Sequence, residues 1–256
     1  MKIIKALSLL VIITVFSCST NENISTLENG INSAPNLRPT GTSSKDFLSA
    51  SKYKSLIIEV FYIQNFRPES QTLVNLKQFI ETKLNKPGGV TLIEKEISSP
   101  GNSPYAIDEI VAVEKANRTK FNDTNVLTLY LLFADGNYAT DTNNSFTLGI
   151  AYRNTSFVVF EKSIQGLSNS IAEPNRVDLE TTVVLHELCH LLGLVDLGSP
   201  MQTLHIDEAH GNHCNNQRCL MYWQTENNSV LQMMTTGNVP ELDANCMADL
   251  KANGGK

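Results

Sequence analysis

The run Val126 to Phe133, VLTLYLLF, restricts the fold more than any other segment. It does not alternate between apolar and polar residues, so neither face suits water, and it predicts a fully buried strand closed by Ala134-Asp135-Gly136. A second β-branched and aromatic run, LIIEVFYI over residues 56–63, predicts another buried strand, and residues 90–97 a third. Between the first two strands, Leu73, Leu76, Phe79, Ile80 and Leu84 recur at helical spacing after Pro68 and stop before Pro87-Gly88-Gly89. Residues 106–117 predict a further helix. Residues 148–152 and 157–160 read as short strands forming an edge pair. A long helix follows over 176–192, stopped by Gly193, and a last one over 241–251 carries Leu242, Cys246 and Leu250 on one face, with Pro240 suited to its first turn. This order predicts a mixed α/β (α+β) domain.

The chain has 256 residues, 41% of them hydrophobic and 18% charged, with a formal charge of −6. That suffices for one sizeable domain and is too apolar for a disordered chain. The acidic balance argues against nucleic acid as a partner. Residues 1–18, MKIIKALSLLVIITVFSC, place Lys2 and Lys5 ahead of an apolar run. The run falls short of the roughly 20 residues a spanning helix needs, so it reads as a secretory signal. Its end, with Ser17 before Cys18, resembles a bacterial lipobox. On that reading Cys18 is lipidated and anchors the chain to a membrane of the cell envelope; an ordinary signal peptide cut nearby is the alternative. Residues 19–52 are rich in Ser, Thr, Asn, Gly and Pro and are expected to form a flexible linker. The folded domain is expected over 53–256.

The long helix contains His186-Glu187-Leu188-Cys189-His190. Helical positions i and i+4 lie one turn apart on one face, so both imidazoles can reach one ion. Glu187 lies on the adjoining flank, placed to take a proton from an attacking water. That is the H-E-x-x-H arrangement of zinc hydrolases. All five histidines of the chain fall between His186 and His213.

The longer pattern His186-Glu187-x-x-His190-x-x-Gly193-x-x-Asp196 resembles the extended motif of the metzincin metallopeptidases, which usually ends in histidine. Cys219-Leu220-Met221-Tyr222 resembles their Met-turn, with Met221 beneath the metal. The resemblance implies a metzincin-like zinc peptidase domain and one catalytic Zn2+ held by His186, His190 and a third ligand. By position that ligand is Asp196, as in the snapalysin branch. A second alignment, His213-Cys214-x4-Cys219-x-Met221, is similar to archaemetzincins and makes it His213, with 196–212 an inserted loop. His213 is the preferred ligand, because zinc more often takes imidazole and the Cys-x4-Cys-x-Met register is specific, and Asp196 competes with it. His205, Asp207, Glu208 and His210 read as a solvated loop or as a further cation cluster. Tyr222 follows Met221 directly, whereas metzincins with a catalytic tyrosine place it one residue further on.

Cys189, Cys214, Cys219 and Cys246 make an even set in an exported chain, which favours disulfides. Cys214–Cys219 would clamp the approach to the Met-turn. The resemblance also suggests Cys189–Cys246, because the active-site and last helices pack together in metzincins; two buried free thiols are the alternative. Archaemetzincins use a cysteine cluster for a second zinc, but no C-x-x-C follows here.

The expected activity is that of a monomeric, lipid-anchored zinc endopeptidase acting on polypeptide substrates, with Glu187 as general base. An inactive binding or adhesion lipoprotein with a structural metal, or an aminopeptidase, would share most of these features.

Overall fold

A computed structural model describes residues 27–28, 31–168, 173–234 and 238–256. The signal segment 1–18, including Cys18, lies outside the described residues. The short strands β1 (Leu27–Glu28) and β2 (Ile31–Asn32) pair with each other, and α1 (Ser44–Leu48) follows. The main sheet comprises β3 (Ser55–Ile63), β4 (Val90–Ile97), β5 (Val126–Phe133), β6 (Gly149–Arg153) and β7 (Ser156–Val159). Helices α2 (Ser70–Lys83) and α3 (Ile107–Asn117) connect β3, β4 and β5; α4 (Glu161–Gly166) leads from β7 to α5 (Arg176–Leu191). The chain ends with α6 (Val230–Met233) and α7 (Ala244–Ala252).

The strand order is β4-β3-β5-β7-β6. β3 runs parallel to β4 and β5, and β5 to β7, while β6 is antiparallel to β7 and forms an edge. β5 shows why its sequence lacks alternation. Leu127, Leu129, Leu131 and Phe133 enter a core shared with α2 and α5, while Tyr130 and Leu132 enter a second core shared with α3. The mixed α/β class expected from the element order is the one observed. Boundaries moved little, except that the last helix starts at Ala244 and leaves Pro240 outside, because the Asp243 side chain caps it by accepting from Cys246 N at 2.9 Å.

The flexible linker expected over 19–52 needs correction from residue 34 onward. Phe47 and Leu48 are fully buried in the main core. Asn36 is buried and donates to Asn122, Thr128 and Thr155 at 2.9–3.2 Å. The Lys86 ammonium binds the carbonyls of Asp46, Ser49 and Tyr53 at 2.6–2.9 Å. Composition missed this packing because the segment is held mainly by polar groups whose partners lie far along the chain. It also braces the exit of α5. Gly41 (φ +79°) lies against Leu197, and a Cβ on Gly193 (φ +78°) would stand 2.7 Å from the Cβ of Ser44.

Candidate metal centre

Asn175 opens α5 by accepting from Val177 N at 2.8 Å, and every residue from Leu179 to Leu191 is buried. The helix therefore carries its two histidines inside the protein. His186 Nδ1 donates to the carbonyl of Leu220 at 2.7 Å. His213 Nδ1 faces the carbonyls of His210 and Gly211 at 2.9 and 2.7 Å. Because carbonyls only accept, both rings carry their proton on Nδ1 and turn an unprotonated Nε2 inward. His190 Nε2 lies 3.0 Å from His186 Nε2. The His186, His190 and His213 ring centroids form a triangle with sides of 4.7, 5.3 and 5.2 Å.

The inserted loop delivers His213. An isolated bridge joins Ile206 and Cys214, and Asp207 N donates to the carbonyl of His213 at 2.7 Å. Cys219–Tyr222 is a tight turn closed by Tyr222 N donating to the Cys219 carbonyl at 3.0 Å, with Met221 fully buried. The carbonyl of Met221 accepts from Cys214 N at 2.7 Å. Two consecutive carbonyls thus hold one histidine and the neighbour of another. Asp196, the competing candidate, stands exposed in a left-handed turn (φ +72°) outside the cluster.

The cluster has a fourth member that the sequence did not reveal. Glu226, in the 3-10 turn Trp223–Glu226, places Oε2 3.4 Å from His213 Nε2 and 4.0 Å from the Nε2 atoms of His186 and His190. A glutamate in a polar loop carries no periodic or motif signal. Gly149 was missed as well: a Cβ there would fall 2.7 Å from Glu187 Cγ, so only glycine leaves room for that carboxylate beneath β6.

Burial, then the nearby His213, lowers the pKa of His186 to about 4; burial, then His186 and His213, also depresses His190. Both are neutral near pH 7, as ligands must be. Burial opposes a charge on His213, but the Glu226 carboxylate beside its Nε2 outweighs it and raises its pKa. Burial and the charge of Glu226 push Glu187 well above the ordinary carboxylate value. Three buried imidazoles converge on one point with a carboxylate beside them, a donor set that fits a divalent cation such as zinc. A cavity of about 580 Å³ reaches this point, lined by Gly149, Ala151, Glu187, His190, His213 and Glu226 among others.

The expected disulfides are not formed: Cys189, Cys214, Cys219 and Cys246 are all buried free thiols. Cys246 faces Cys219 at 3.6 Å, not Cys189, because the capped start of α7 carries it there. Cys214 lies 3.5 Å from His205 Nδ1 and 3.4 Å from Asp243 Oδ2. The Cys219 sulfur is approached by the N–H groups of Met221 and Asp243, each at 3.4 Å. The main chain is wrapped around the sulfurs instead of leading one to another. His205, in the inserted loop, is buried in this cluster and meets Asp249 at 2.8 Å. His210 remains at the cleft, 2.8 Å from Asp207 and stacked on Trp223 at 4.1 Å. Glu208 is exposed.

No family model and no curated protein matches the chain. Among solved structures, the chain is similar to an archaemetzincin from Methanopyrus kandleri, with a TM-score of 0.49 and 18% identity over 79% of this chain and 96% of that one. It is also similar to metalloproteinase-II from Bacteroides fragilis, with a TM-score of 0.45 and 16% identity over 80% of this chain and 54% of that one.

Proposed function

We propose that the protein is a zinc-dependent peptidase. The observation that carries this reading is the meeting of three buried imidazole nitrogens beside a buried glutamate from the same helix, at the end of an open cleft. His186, His190 and His213 would hold the ion. Zinc would supply Lewis acidity and lower the pKa of a water towards about 7. Glu187, kept basic enough by its buried setting, would take the proton from the attacking water and pass it to the leaving amine. The substrate would lie extended beside β6, whose residues Gly149 and Ala151 border the cleft. The apolar N-terminal run and Cys18 support export and lipid anchoring in the cell envelope.

The test is cleavage of a peptide library by the wild type and by Glu187→Ala. Internal cleavage by the wild type that disappears in the variant and with chelator is the expected result. Release of N-terminal residues only would make the protein an aminopeptidase. No cleavage by folded, zinc-loaded protein would favour a binding lipoprotein.

The sulfur cluster supports a second, structural cation, held by His205, Cys214, Cys246 and Asp243, with the Cys219 thiol beside Cys246 at 3.6 Å. Two zinc ions per chain are expected, falling to one in Cys214→Ser. A single ion in both proteins would remove this second site.

A further inference from the structure

We propose that Glu226 is a fourth protein ligand of the metal centre, so that the resting site is closed and opens only when this carboxylate leaves. The proposal rests on the reading of the three histidines as a zinc site. Zinc in a closed site takes four ligands in a tetrahedron, with donor atoms about 2.0–2.2 Å from the ion and therefore roughly 3.3 Å from one another. Glu226 Oε2 lies 3.4, 4.0 and 4.0 Å from the Nε2 atoms of His213, His186 and His190, and two of those nitrogens are 3.0 Å apart. The carboxylate therefore stands nearest His213 and within reach of the fourth position, the one an attacking water requires. Glu187 does not compete for it, since it is absent from the set of mutually close donors.

The mounting of Glu226 supplies a route for opening. Its carbonyl accepts from Leu148 N at 2.8 Å, and the next residue, Asn227, bridges to Thr147. Leu148 immediately precedes β6, the strand beside which substrate would lie. A peptide bound there presses on the segment that holds Glu226. Opening is a ligand exchange, one carboxylate oxygen out and one water oxygen in, with no change of oxidation state.

The experiment loads the purified full chain with Co2+ and records its electronic spectrum during azide titration, for the wild type and for Glu226→Gln. Paramagnetic resonance of the Co2+ wild type in water enriched in oxygen-17 provides a measurement that needs no variant. The expected result is no line broadening in the wild type, and azide binding by the variant at concentrations that leave the wild-type spectrum unchanged. Zinc affinity, from chelator competition, should fall at least about tenfold in the variant. Broadening by oxygen-17 in the wild type, or equal azide affinity in both proteins, would overturn the proposal and leave the zinc site standing. A wild type that takes up no Co2+ would remove both.

Discussion

The Nδ1 of His186 and the carbonyl oxygen of Leu220 are 2.7 Å apart, joining α5 to the tight turn 34 residues later. This one bond fixes the tautomer of the imidazole and the direction of its free nitrogen. The next carbonyl, that of Met221, accepts from the residue after His213. The turn thus registers two histidines against each other, and the buried Met221 side chain holds the turn in place.

Met221→Ala should therefore destabilise the protein and loosen the metal together. Truncating a fully buried methionine costs about 2–5 kcal/mol. Urea unfolding should show a loss in that range, with weaker zinc retention by the folded variant. A stable variant with unchanged affinity would mean that the turn positions itself without the methionine.

His213→Ala and Asp196→Ala should separate the two candidate ligands. Zinc affinity should fall at least about a hundredfold in the first, which loses a ligand and not merely its support. In the second it should be unchanged, because Asp196 is exposed and remote from the cluster. Chelator competition measures both, and the reverse ranking would restore the aspartate alignment.

Gly149→Ala should affect turnover more than metal binding. The added Cβ would meet Glu187 Cγ at 2.7 Å and displace the proposed base, while the three histidines have no contact with it closer than that. Peptidase turnover should drop by about tenfold or more, in keeping with loss of general-base catalysis, at unchanged zinc content. Full activity would show that the base tolerates a shifted position.

Glu161 and Glu180 should make the fold sensitive to rising pH. Both are fully buried around Arg176, 2.7 and 3.6 Å from their nearest guanidinium nitrogens. Burial pushes Glu180 up to about 7, and burial together with the charge of Glu180 pushes Glu161 well above the usual carboxylate range. A carboxyl group with a raised folded pKa stays protonated while the unfolded chain ionises. Its stabilisation is complete below about pH 4.3 and is lost as pH rises towards 7. Glu161→Gln keeps the shape and removes one ionisation, so the variant should gain stability over wild type between pH 5 and pH 8. Denaturant titrations at the two pH values test this, and parallel behaviour would mean that Arg176 neutralises the pair.

The strand and helix segments were legible because burial on both faces and helical periodicity are local properties. β5 and α5 were read within a residue or two of their observed bounds. The His186-Glu187-x-x-His190 spacing was legible for the same reason, since one helical turn brings its two imidazoles together whatever else the chain does. His213 was visible only as one of two alignments. Glu226 and Gly149 gave no signal, because each matters through neighbours outside its own element, at least 13 residues away in sequence. The residues from 34 to 52 read as a linker for the same reason in reverse: their composition is that of a tether, but distant carbonyls and amides satisfy their polar groups. The even cysteine count suggested bridges, whereas the cap of α7 and the N–H groups around Cys219 set the sulfurs facing one another unbonded. Local periodicity alone determined the elements and the first two histidines. The third histidine, the carboxylate beside it and the state of the thiols were decided by tertiary packing, because contacts between segments far apart in sequence exist only once the sheet and helices have brought them together.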